Sequence, residues 1–153
     1  MNKILTLVCV ATMCCTHINT SAHNMIGKTT DISAVAPNHR MTPEALWAMG
    51  RISAATPAPD GKTIAYQVAY YSVKENKSHQ VIYTITADGK QQRLLTTTAD
   101  SETDAAWIAD GKKLAFLSKG QLWTMDANGN NRRQLTKSDT DIEAFKFAPD
   151  ESK

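Results

Sequence analysis

IYTITADGKQQRLLT (82–96) and LWTMDANGNNRRQLT (122–136) align at an offset of forty residues. The alignment sets Ile82 on Leu122, Tyr83 on Trp123, Gly89 on Gly129, Arg93 on Arg133 and Leu95-Thr96 on Leu135-Thr136. A second phrase repeats in the turns: PDGKTIAY (59–66) returns as ADGKKLAF (109–116), and PDESK (149–153) begins it again. Short β-branched and aromatic runs bounded by Gly-containing turns read as strands. A period near forty with several short strands per unit is the signature of propeller blades, small sheets that bury their faces only against their neighbours. The expected fold is therefore all-β: a partial β-propeller of about two four-stranded blades and the start of a third. The units run 52–96, 104–136 and 142–153.

Working outward, the first unit reads as strands at 52–56, 63–71, 81–86 and 93–96, with a charged loop at 73–80. The second reads as strands at 104–108, 113–118, 121–126 and 132–136, and 142–147 opens the third. Asp60 and Asp110 lie fifty residues apart but Asp110 and Asp150 only forty, so the first unit carries an insertion around Tyr71–His79. The Asp-Gly pairs are expected to form hairpin turns with two positive-φ residues, matching the strand twist. Two blades and a stub leave Trp107, Phe116, Trp123, Phe145 and Phe147 partly without partners. The chain is accordingly expected to be the front piece of something larger, with a truncated gene product as the alternative.

Upstream of the blades, MTPEALWAMGRIS (41–53) reads as a short helix over 41–51. Thr42 is placed to cap it, Pro43 suits its first turn, Glu44 its positive end, and Gly50 its stop. Leu46, Trp47 and Met49 are expected to pin it to the first blade. Residues 23–40 are polar and without periodicity, a flexible lead-in. Residues 1–22 read as a signal peptide: Lys3 is the positive end, Ile4 to Cys15 the apolar stretch, and Thr20-Ser21-Ala22 the cleavage signal. This places the mature protein in the periplasm or outside the cell. Cys9, Cys14 and Cys15, the chain's three cysteines, all lie in that leader, so the mature chain has no disulfide framework and no thiolate chemistry. Acylation at Cys14 or Cys15 is the weaker reading, because small residues do not precede them.

A net charge of +2 with acids and bases interspersed excludes nucleic acid as a partner, and no membrane association is expected after signal cleavage. Arg132-Arg133 and Lys112-Lys113 read as solvated turn residues. His23, His39 and His79 lack metal-ligand spacing and read as surface histidines. The acidic runs Asp100–Asp104 and Asp139–Glu143 offer carboxylates of the kind calcium takes. Their recurrence at one place in the repeat reads instead as inter-blade loops with solvated charges. Trp107, Tyr83 and Trp123 read as blade-packing aromatics. No pair of glycines flanks a serine in a G-x-S-x-G spacing. No catalytic, cofactor-binding or metal residue is assigned, and no cofactor is expected.

TPEALWAMGRIS (42–53), followed by APDGKTIAYQV (58–68), WIADGKKLAFLS (107–118), QLWTMDANGNNRRQLT (121–136) and FKFAPD (145–150), resembles the amino-terminal propeller of prolyl oligopeptidase-family serine peptidases. Within that family the likeness is to the secreted dipeptidyl-peptidase and acylaminoacyl-peptidase branch. The resemblance implies an α/β-hydrolase domain beyond the propeller that carries a Ser-His-Asp triad, peptide substrates, and a propeller that restricts access by size. Nothing in this chain matches those catalytic residues, and the oligomeric state is left open. Non-enzymatic periplasmic propellers of TolB type share the PDGK turns, so a protein-binding scaffold is the alternative.

Overall fold

The computed structural model describes Asn38 and residues 40–148. The expected signal peptide (1–22), most of the expected lead-in (23–40), His23, His39 and the expected turn at 149–153 lie outside the described residues. The elements are helix α1 (Pro43–Ala48), then β1 (Arg51–Pro57), β2 (Thr63–Ser72), β3 (Lys77–Thr86) and β4 (Gln92–Leu94), then β5 (Glu102–Ile108), β6 (Lys113–Ser118), β7 (Gln121–Asp126) and β8 (Arg133–Gln134). They form two four-stranded antiparallel meanders, β1-β2-β3-β4 and β5-β6-β7-β8. These are the two blades the repeat predicts. Residues 142–147, expected as the opening strand of a third, carry no strand. No helix among the described residues is long and apolar enough to cross a membrane.

Three of the turns repeat one geometry. Gly61, Gly89 and Gly129 donate to the carbonyls of Ala58, Thr86 and Asp126 at 2.8–2.9 Å. The Asp or Asn before each glycine accepts from the amide two residues on: Lys62 to Asp60, Lys90 to Asp88, Asn130 to Asn128. A short side-chain oxygen followed by glycine is what this turn requires. It uses one positive-φ residue, the glycine, and not the two expected from the sequence. At Pro59 the ring itself forbids a positive φ. Ala109 stands in its place in the second blade, and there Ala109, Asp110 and Gly111 are all left-handed.

Half of the charged loop expected at 73–80 is strand. Tyr70 pairs with His79, Tyr71 with Ser78 and Ser72 with Lys77, so the insertion lengthens the β2–β3 hairpin and leaves a turn only at 73–76. The corresponding β6–β7 hairpin closes at Lys119-Gly120.

Side chains alternate across each sheet. One face of the first blade sets Ala65, Ile82 and Leu95 against Leu114, Phe116 and Met125 of the second, forming the larger core with Ala105. Phe116 is fully buried, and Trp107 and Trp123 are half-buried against that core, so the second blade is better covered than two units alone imply. Phe145 and Phe147 are half-buried and meet edge to face at 5.8 Å. The other face of the first blade holds Val68, Val81 and Tyr83 with Tyr66 and Tyr70.

Helix α1 is six residues long, capped by the Thr42 side chain, which accepts from Ala45 N–H at 3.1 Å. It buries Ala45; Leu46 stays exposed, while Trp47, though partly exposed, packs edge to face on Tyr71 of β2 as the expected anchor. Gly50 is not a left-handed stop either; the helix ends on Met49 in extended conformation. A Cβ at Gly50 would lie 2.8 Å from Tyr70 Cε1 and 2.9 Å from Val68 Cγ1. Glycine is needed there for close approach to β2.

Candidate functional site

The densest polar chemistry lies in the seam between the blades. Glu102 opens β5 and is completely buried; Arg132, just before β8, pairs with it through Nη2. The Thr96 hydroxyl, from the end of the first blade, donates to Glu102 Oε2 at 2.7 Å, and Thr98 adds a longer bond to Oε1. The Arg132 guanidinium lies 4.9 Å from the centre of the Phe116 ring and reaches Met125 Sδ at 3.5 Å. Desolvation lowers the Arg132 pKa, yet a guanidinium stays charged at any ordinary pH. A buried carboxylate met by an arginine and two hydroxyls is a satisfied network. Glu102 and Arg132 are therefore corrections to the sequence reading, which made both solvated. Arg133, Lys112 and Lys113 are exposed as expected.

Thr96 has a second role. Its Oγ1 accepts from Ile82 N–H at 2.8 Å, and Thr136 accepts from Leu122 N–H at 2.9 Å in the same way. The repeated Leu-Thr thus closes the outer edge of each blade's third strand. The seam is completed by Trp107 Nε1 donating to Thr56 O (2.9 Å), Asp104 N–H to Gln67 Oε1 (3.0 Å) and Gln80 N–H to Ser101 Oγ (3.1 Å). Trp107, Tyr83 and Trp123 are blade-packing aromatics, as the sequence predicts.

The opposite face of the first blade is a tyrosine layer. Tyr66 and Tyr83 stack at 5.4 Å, and Tyr70 and Tyr83 share a hydroxyl hydrogen bond of 3.2 Å. Burial, helped by that bond, pushes the Tyr83 phenol well above its ordinary value; burial also raises Tyr66, against the opposing hydrogen bond from Gln92. His79, read as a surface residue, is 5% exposed on β3, and its Nε2 is buried without a hydrogen-bond partner. The hairpin extension carries it inside. Burial lowers its pKa, and Asp100 opposes that shift.

None of this is a catalytic constellation: the buried carboxylate is engaged and the buried histidine meets no serine. Among the described residues no group of three or more His, Cys, Asp or Glu is placed to hold a metal ion. What the seam does is fix one blade on the next. A cleft of about 370 Å³ between Trp107 and Phe145–Ala148 continues it along β5.

No protein-family model matches the chain. It is 37% identical over 115 residues to "Dipeptidyl-peptidase 5" of Porphyromonas gingivalis, covering 72% of this chain and 17% of that protein. It is 31% identical over 114 residues to "Dipeptidyl-peptidase 5" of Porphyromonas endodontalis, covering 72% of this chain and 16% of that one. The chain thus spans about a sixth of the length of the curated relatives it matches. Among solved structures, an acylaminoacyl peptidase of Pyrococcus horikoshii superposes with a TM-score of 0.52 at 16% identity, over 61% of this chain and 15% of that one. That likeness speaks to the fold alone. Together the comparisons bear out the resemblance to the amino-terminal portion of prolyl oligopeptidase-family peptidases.

Proposed function

We propose that this chain is the amino-terminal propeller portion of an exported serine exopeptidase that removes dipeptides or acylated residues from peptides. In the whole protein these blades form part of the wall that limits which peptides reach a catalytic α/β-hydrolase domain. The observation that carries the reading is the 37% identity to a dipeptidyl-peptidase over 72% of the chain. The geometry supports it: the seam network holds two blades in a fixed relation, which a size filter requires, and the polar groups buried there serve that rigidity. The catalytic serine, its histidine and its aspartate belong to the hydrolase domain, where the nucleophile sits on a strained elbow.

The test begins with the coding sequence downstream of the Lys153 codon. An open frame with further blades and then a G-x-S-x-G serine is the expected result. The protein made from that frame should release dipeptides from dipeptidyl-coumarylamide substrates and be labelled by a fluorophosphonate at that serine. Further blades without such a serine, or a full-length product inert to both reagents, would replace this reading with a non-enzymatic scaffold.

A further inference from the structure

The extended β2–β3 hairpin builds a feature the second blade lacks. Its tip and α1 flank an open pocket of about 410 Å³ whose lining combines apolar Trp47, Tyr71 and Val73 with polar Ser72, Asn76 and Lys77. Trp47 and Tyr71 meet edge to face at 5.5 Å, and the Arg51 guanidinium lies in the corner between them, 4.7 Å and 4.8 Å from the ring centres. Trp47 is 41% and Val73 68% exposed. Large aromatic side chains exposed around a concavity point to a ligand more strongly than scattered apolar residues do.

The arginine decides the chemistry. Among the described residues its guanidinium makes no ion pair and no hydrogen bond, and neither does the ammonium of Lys77. Two rings hold the Arg51 cation in place by cation–π attraction without consuming its N–H donors. A guanidinium with free donors and a fixed position is a preorganised partner for a carboxylate, which it binds through two parallel N–H···O bonds. The rings and Val73 offer apolar surface beside it, and Lys77 adds a second positive charge to the lining.

We propose that this pocket binds a peptide segment from outside the chain, one that presents a carboxylate next to an aromatic side chain. Arg51 receives the carboxylate, and Trp47, Tyr71 and Val73 receive the ring. The charge balance selects an acidic segment: Lys77 lines the pocket, Arg51 lies against two of its lining rings, and the lining contains no acidic residue. The inference stands independently of whether the parent protein is a peptidase.

The test titrates the full chain with N-acetyl-phenylalanyl-glutamate amide and with its glutamine counterpart, following the Trp47 indole N–H by NMR. Saturable binding of the glutamate probe that shifts Trp47 is expected, with the glutamine probe at least about tenfold weaker, the loss expected from a charge-assisted pair. Arg51→Gln should abolish the difference between the two probes, and Arg51→Lys should restore part of it. Equal binding of both probes to the unaltered chain would overturn the proposal without relying on any variant. So would a Trp47 shift that depends on protein concentration alone, because a second copy would then be the occupant. Binding that appears only when residues 23–37 are removed would assign the pocket to the chain's own lead-in and overturn it too.

Discussion

Replacing Arg132 by methionine tests the seam most directly. Methionine keeps the apolar stem over Phe116 and removes the charge, so Glu102 is left fully buried with only the hydroxyls of Thr96 and Thr98. Breaking a buried ion pair by deleting one partner costs about 3–5 kcal/mol. The Arg132 side chain keeps 19% of its exposure, so water can enter the vacated space, and about 2–4 kcal/mol is expected here. For a folded unit of this size that lowers Tm by about 10–20 °C. Replacing Glu102 by methionine as well removes the stranded carboxylate, and the double variant should return to within about 1 kcal/mol of the parent. Urea unfolding at pH 7, followed by tryptophan fluorescence on the parent, Arg132→Met, Glu102→Met and the double variant, completes the cycle. If Arg132→Met unfolds within about 0.5 kcal/mol of the parent, or the double variant is no better than the single, the seam is not held as argued.

Three further outcomes follow from the same geometry. Thr96→Val should cost about 2–3 kcal/mol, because it strips a buried bond from both Ile82 N–H and Glu102, whereas Thr136→Val at the half-exposed equivalent should cost under about 1 kcal/mol; paired urea melts measure the contrast. Gly50→Ala should destabilise by about 1–3 kcal/mol, since the new methyl meets Tyr70 and Val68 below 3.0 Å, and thermal unfolding reads it. The His79 pKa is lowered from 6.5 on folding, so below that pH the unfolded chain binds a proton that the folded one resists, and stability falls as pH drops through and below 6.5. His79→Gln should remove that part of the decline, seen as a smaller loss in urea midpoint between pH 7 and pH 5 than in the parent.

Local chemistry carried much of this structure into the sequence. Strand alternation, the Asp-Gly and Asn-Gly turns and the Thr42-Pro43 helix start depend on neighbours a few residues away, so they are legible one segment at a time. The forty-residue offset made the two blades visible because both meet the same local demands, down to Thr96 and Thr136 binding equivalent strand amides. The lengthened hairpin was harder to read. VKENKS (73–78) is polar because the end of the hairpin is exposed, and polarity of that kind looks the same in a loop.

Burial was decided elsewhere. Leu95 and Leu135 hold the same place in the repeat, yet one is 1% exposed and the other 43%, because the second blade covers the first and no blade covers Leu135 among the described residues. Glu102 and Ile142 are likewise equivalent by position, and only Glu102 meets an arginine, brought to it by a chain segment thirty residues away. His79 enters the interior, and Arg51 comes to rest between Trp47 and Tyr71, by the same kind of long-range placement. The sequence by itself determined the blades, since strands and turns are short-range matters. Which charges are buried, which stay free and which aromatic rings line a pocket depended on one blade meeting the next, and only the tertiary structure carries that.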